Sequence, residues 1–198
     1  MKNKLLLLTV FILLVSIPNA YSRGAKPPQV KPLPPALQTS KPGVTFSPVK
    51  NYTEEELSVL IVAEKLANDL LKSQCFQTFM VNRKLIETNS KTPLEVVTIL
   101  KATNLAVPVE MYYKNNGVVG YRQPPALNIF TNRKFHAGST ACSRASNLTH
   151  EWSHSVGFGH SYRATSFRPY SVPYSINAAF SECCTCEGKS ISNCKILP

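Results

Sequence analysis

The stretch HEWSHSVGFGH, residues 150–160, holds three of the four histidines of the 198-residue chain, at intervals of four and then six. If residues from about 144 to 156 are helical, His150 and His154 lie one turn apart on one face, with Cβ atoms about 5–6 Å apart. That spacing lets two imidazoles meet a single zinc ion at about 2.0–2.1 Å. Glu151 projects beside His150, where a carboxylate can take a proton from a metal-activated water without binding the metal itself. A helix simply continued would carry position 160 away from the ion. Glycine adopts the left-handed conformation that ends a helix and turns the chain, so Gly157 is expected to bring His160 back as a third ligand. Three protein ligands leave a fourth position open, as in catalytic rather than structural zinc sites. The fold must therefore supply a helix that stops near residue 156 and a sharp reversal after it. Trp152 and Val156 point elsewhere on that helix and are expected in the core.

The chain divides into three parts. Residues 1–22 open with Lys2 and Lys4, continue as LLLLTVFILLVSI and reach Ala20 and Ser22, the layout of a secretory signal peptide. The apolar run is too short for a membrane span, and nothing downstream is apolar for the roughly 20 residues a crossing needs. No cysteine follows Ser22 to carry a lipid. Residues 23–49 hold seven prolines and four basic residues with no acid, a composition that favours an extended linker or short propeptide over a packed core. Residues 50–198 form one domain's worth of chain. The expected location is secreted, either extracellular or periplasmic.

Loss of Lys2 and Lys4 with the leader lowers the formal charge from +11 to +9. A cationic exported protein is attracted to anionic cell-surface polymers without needing a specific site. The charges are scattered and no nucleic-acid motif is present, so no specific nucleic acid is expected as a partner. The six cysteines, Cys75, Cys142, Cys183, Cys184, Cys186 and Cys194, predict three disulfides in an exported chain, with fifteen pairings open. The CCTC cluster must mostly pair outward. A thiolate metal site built from Cys183, Cys184, Cys186 and Cys194 is the rival reading, although the four lack two clean C-x-x-C pairs.

Elements can be placed around these features. Thr53 and Glu56 form a capping box, and Leu57, Leu60, Ile61, Ala67, Leu70 and Leu71 recur at helical spacing, which predicts a helix over about 54–73. Thr92, Pro93 and Glu95 open a second helix through about Ala102. Between them CFQTFMV reads as a strand. AVPVEMYYK, the pair Asn116-Gly117 and VVGYR read as a hairpin, and ALNIFTN, residues 126–132, as a further extended run. His136 is expected at the surface, with pocket lining as the alternative. The class is α+β with a mostly antiparallel or mixed sheet.

His150, Glu151, His154, Gly157 and His160 match every fixed position of H-E-x-x-H-x-x-G-x-x-H, which resembles the zinc signature of the metzincin metallopeptidases. The resemblance implies two subdomains: a twisted sheet with a backing helix and an active-site helix, then a small C-terminal subdomain, here with disulfides. It implies Zn2+ held by His150, His154 and His160, Glu151 as general base, and a protein or peptide substrate laid antiparallel on an edge strand, for which Ala126 to Thr131 is the candidate. The methionine that names the family is missing, since Met1, Met80 and Met111 all precede His160. RPYSVPYSIN, residues 168–177, stands in its place, with Pro173 or Ile176 as the apolar floor. Tyr174 stands where the astacins and serralysins place a tyrosine whose hydroxyl binds zinc or the oxyanion; a packed or solvent-facing tyrosine is the other reading. Ser161 is similar to the matrixins at one position, while the absence of cysteine from residues 23–74 excludes their cysteine switch.

The expected activity is that of a monomeric secreted zinc metalloendopeptidase. A non-catalytic zinc-binding protein that clings to anionic surfaces, and a cysteine-rich structural module, are the other classes consistent with these residues. Asn51-Tyr-Thr and Asn147-Leu-Thr fit the glycan acceptor pattern, but Asn147 falls in the expected active-site helix, where a glycan fits poorly.

Overall fold

The computed structural model describes residues 43–136, 138–187 and 193–198. The expected leader and the first part of the proline-rich segment lie outside them. The described chain is α+β, with five α-helices, a four-stranded mixed sheet and a two-stranded one.

The first strand, β1 (Gly43–Lys50), begins inside the segment whose prolines suggested a linker and ends just past it. It pairs in parallel with β2 (Asn104–Tyr112), and the register shifts between Phe46 and Val49, around Pro48, a residue that has no N–H for a ladder. The outer edge of β1 is closed by helix α1 (Glu54–Lys72). Asn68 exchanges two hydrogen bonds of 2.9 Å with the backbone of Val44, and Glu64 accepts from the Phe46 N–H at 2.7 Å. Side-chain capping of this kind removes an exposed edge that would otherwise template aggregation. Residues 43–49 are therefore part of the sheet rather than of a linker.

Helix α1 begins at the expected capping box: Thr53 accepts from the Glu56 N–H and Glu56 accepts from the Thr53 N–H. Leu60, Ala63, Leu66, Ala67, Leu70 and Leu71 are buried, whereas Ile61, counted with the apolar face from spacing, is 70% exposed. The second capping box, Thr92 with Glu95, opens α3 (Pro93–Ala102) as expected. The segment CFQTFMV is not a strand. It is helix α2 (Gln74–Val81), capped by the Ser73 side chain on the Phe76 N–H, with Phe76 and Met80 buried one turn apart. A seven-residue apolar run fits either period, and the cap decides it.

The expected hairpin does not form. β3 (Gly120–Arg122) pairs antiparallel with β4 (Ile129–Asn132), and β4 lies parallel to β2, which gives the order β1-β2-β4-β3. Two of the three pairings are parallel, so the sheet is mixed rather than mostly antiparallel. Neither Asn116 nor Gly117 takes positive φ, as the tight hairpin turn would require. The buried Asn132 side chain instead accepts from the Lys114 N–H and donates to the Lys114 and Val118 carbonyls. It thus takes the partners that a β2–β3 ladder would have used. One consequence is that residues 126–131 do not form an edge; β3 does.

Along β2 the burial alternates, with Leu105, Val107, Val109 and Met111 facing the core. Helix α4 (Ala141–Val156) packs against α1 and reaches β3 and β4. Trp152 is fully buried, and its indole N–H donates to the Leu105 carbonyl at 3.2 Å; Val156 is also in the core. Helix α5 (Val172–Cys183) packs on α4 and α2. Disulfides Cys75–Cys183 and Cys142–Cys184 tie α5 and the residue after it to α2 and α4. Cys186–Cys194 closes the short pair β5 (Cys184–Cys186) and β6 (Cys194–Ile196). All six cysteines are thereby oxidised, which excludes the thiolate metal site and is the pattern of an oxidising compartment. No described helix is long and apolar enough to cross a membrane.

Candidate metal centre

Helix α4 starts at Thr140, whose side chain accepts from the Ser143 N–H, and ends at Gly157, which has φ 111° and ψ 3°. Gly157 N–H donates to the His154 carbonyl and Phe158 N–H to the Ser153 carbonyl, the paired bonds of a helix end that turns through a left-handed residue. The Gly157 carbonyl is held at 3.0 Å by Asn89 Nδ2. The expected reversal is therefore present, and it returns His160 to the face that carries His150 and His154.

The three rings form a triangle. Their centroids are 5.1 Å apart for His150–His154, 5.3 Å for His150–His160 and 4.8 Å for His154–His160. One nitrogen from each can be chosen so that all three lie within 4.8 Å of one another. The hydrogen bonds on the remaining nitrogens fix which atoms these are. His154 Nδ1 lies 2.8 Å from the Phe158 carbonyl and His160 Nδ1 lies 3.1 Å from the Ser161 carbonyl. A carbonyl only accepts, so both rings carry their proton on Nδ1 and present a bare Nε2. His150 Nε2 stands 3.3 Å from His160 Nε2. Two ligands at about 2.0–2.1 Å from a tetrahedral ion are separated by about 3.3 Å, so the donor set fits such an ion. Burial and mutual proximity favour neutral imidazoles, with His150 pushed down to about 3, His154 to about 4 and His160 also lowered. Neutral rings are what metal ligation requires.

Helix α5 supplies the surroundings of His150, which is 5% exposed. Asn177 Nδ2 lies 3.1 Å from His150 Nδ1, Ser146 Oγ lies 3.0 Å from Asn177 Oδ1, and the Pro173 carbonyl accepts from the His150 ring. The Tyr174 ring packs 4.8 Å from His150 and 4.9 Å from His160. Residues 168–170 form a 3-10 turn and α5 follows almost at once, so the segment expected as a turn becomes a turn plus the first turn of a helix. Pro173 and Ile176 are both buried there.

Glu151 is 6% exposed, and desolvation raises its pKa to about 7 against the opposing Arg122 charge and a hydrogen bond from the Arg122 backbone N–H. It follows His150 on α4, and its carboxylate interacts with Arg122 of edge strand β3. His136, half-buried, is not with them. It lines a separate cavity of about 240 Å³ with Tyr52 and Arg144. Asn177, Arg122 and Arg168 belong to the site without having been foreseen. For Asn177 a signal existed, because it stands three residues after Tyr174 and so shares its helix face. No family model matches this chain, and neither does any curated protein or solved structure.

Proposed function

We propose that the chain is a secreted, metzincin-like zinc metalloendopeptidase, with His150, His154 and His160 as metal ligands and Glu151 as general base. The observation that carries this reading is the 3.3 Å approach of two ring nitrogens whose ring partners lie on the opposite side. Zinc, when bound, supplies a Lewis acid that activates water near neutral pH and polarises the scissile carbonyl. Glu151 takes the proton of the attacking water and delivers it to the leaving nitrogen. Its raised pKa of about 7 suits a group that must both accept and release a proton near neutrality. Tyr174, against two of the ligand rings, is the donor for the developing oxyanion. Edge strand β3 takes an extended peptide as an added antiparallel strand, by backbone hydrogen bonds. The protein works as a monomer, and its positive charge attracts it to anionic surfaces.

A zinc-loaded preparation is expected to release peptides from casein and to stop when a chelator is added. Glu151→Gln should retain zinc and lose about 10²–10⁴ of the rate. Full activity in a zinc-loaded Glu151→Gln protein removes the general base, and a wild-type protein that holds zinc but cleaves nothing removes the protease. The missing methionine favours one second reading, a non-catalytic zinc protein bound to anionic surfaces, and the same digest decides between them.

A further inference from the structure

Among the described residues, three buried side-chain polar atoms have no hydrogen-bond partner: Arg122 Nε, Ser155 Oγ and Arg168 Nε. Two of them belong to guanidinium groups beside the histidine triangle. Arg122 lies on edge strand β3. Its neighbour Tyr121 stacks on Phe130 at 5.0 Å, so positions 120 and 122 face the other way, toward α4. A Cβ added at Gly120 would stand 2.6 Å from Asn147 Oδ1 of that helix. The Arg122 charge acts on Glu151 and His154. Arg168 lies in the 3-10 turn before α5. Its Cζ sits 4.7 Å from the centre of the Tyr174 ring, and its charge acts on His150 and His160. The two arginines thus approach the triangle from different members.

Neither guanidinium is in an ion pair among the described residues, although the Glu151 charge reaches Arg122. The four ion pairs of the described residues use Lys50, Lys65, Arg133 and Lys195. The loop that joins His160 to α5 adds Arg163 and contains no acid. Two guanidiniums beside a site for a divalent cation outweigh the two acids that act there, the buried Glu151 and Glu87, whose charge reaches His160, so the metal-loaded cleft is net positive. A planar guanidinium with an unused buried donor is best matched by a carboxylate.

Resting on the peptidase reading above, we propose that this cleft selects peptides with acidic side chains flanking the scissile bond. Arg122 takes a carboxylate on the Glu151–His154 side, and Arg168 takes one on the His150–His160 side. A substrate carboxylate supplies the charge partner that neither arginine has in an ion pair of its own, and a neutral or basic peptide supplies none.

The test uses two ten-residue peptides that differ only by Glu or Gln at the second residue on each side of a central Ala-Leu pair. Binding to zinc-loaded Glu151→Gln protein is read by fluorescence anisotropy, and cleavage by the wild type is read with quenched-fluorescent versions. The Glu peptide should bind about tenfold tighter or better, Arg122→Gln and Arg168→Gln should each remove part of that preference, and the double variant should remove it. Arg122→Lys and Arg168→Lys, which keep the charge, should retain part of it and so separate a lost contact from a damaged fold. Equal binding and equal cleavage of the two peptides would overturn the proposal and leave the peptidase standing. A preference that survives in the double variant would also overturn it, because general surface charge would then be the cause. Preferential binding of the Glu peptide with no cleavage by the wild type would support the arginine assignment and overturn the peptidase.

Discussion

Asn177 offers the sharpest test of the metal centre, because its effect must pass through another residue. A ligand presenting Nε2 carries its proton on Nδ1, and that proton needs an acceptor. His150 Nδ1 has the Asn177 amide at 3.1 Å and, across the amide, Ser146 Oγ at 3.0 Å. Turning the amide over leaves the heavy atoms in place: Oδ1 then accepts from His150 and Nδ2 donates to Ser146. Asn177→Ala deletes this partner but leaves the Pro173 carbonyl as a second acceptor, and the Tyr174 ring still packs 4.8 Å from the imidazole. Loss of such a supporting bond costs about 10–100-fold in metal affinity. With one acceptor and the packing intact, the lower end applies, about tenfold or about 1.4 kcal/mol. Competition for zinc against a fluorescent chelator at pH 7 reads this directly, and Asn177→Asp should bind zinc more tightly than wild type because a carboxylate is the stronger acceptor. If both variants stay within about twofold of wild type, Asn177 does not support a ligand. If Asn177→Ala lowers the stability of the metal-free protein by as much as it lowers zinc affinity, its role is packing alone.

Other perturbations separate the remaining parts of the structure. Gly157→Ala forces a side chain into a left-handed position at φ 111°, which costs roughly 1–2 kcal/mol and should lower the melting temperature by about 2–8 °C; an unchanged melting temperature would refute the left-handed helix end. Removing Cys75–Cys183, which closes 108 residues, should cost about 5 kcal/mol, against about 2–3 kcal/mol for Cys186–Cys194, which closes 8. Denaturant midpoints in the reverse order would contradict the pairing. In metal-free protein His150 and His154 sit at about 3 and 4 when folded, below their ordinary value near 6.5. The unfolded chain therefore takes up protons that the folded one resists, and stability is lost as pH falls from about 6.5 toward 3. Glu151, raised to about 7, works the other way between pH 7 and 4.5, so the steepest loss lies below pH 4.5. Urea midpoints at pH 7, 5 and 4 for wild type and His150→Gln check this, and parallel curves would refute it.

What could be read from the sequence was whatever local chemistry determines alone. The boxes Thr53–Glu56 and Thr92–Glu95 satisfy their own backbone groups within three residues, and both helices begin where those residues stand. His150, His154, Gly157 and His160 lie within one helix and one reversal, so the meeting of the three rings needed no distant partner. The errors fell where distant partners decide. Asn116-Gly117 signals a hairpin, yet Asn132 takes its hydrogen bonds from another strand. β1 looked like spacer because the prolines of residues 23–49 describe composition, whereas its place is set by β2 on one side and by Asn68 and Glu64 on the other. Arg122 and Arg168 have no periodic or motif signal at all. They join the site because the sheet edge and the turn before α5 both end beside it.

The disulfides and the site are parts of one arrangement. Cys142 opens α4 and Cys184 follows α5, while Ser146 and His150 of α4 meet Asn177, Tyr174 and Pro173 in descending order along α5. The two helices therefore run antiparallel, with the Cys142–Cys184 bridge at one end and the histidine triangle at the other. A helix free to slide by one residue along its partner would move about 1.5 Å, enough to carry Asn177 from hydrogen-bonding distance of His150. Cys75–Cys183 holds α5 from a second direction, through α2. A covalently anchored helix thus delivers the Pro173 carbonyl, the Tyr174 ring and the Asn177 amide to the same imidazole. Its registry, rather than any one floor residue, is what sets the orientation of His150.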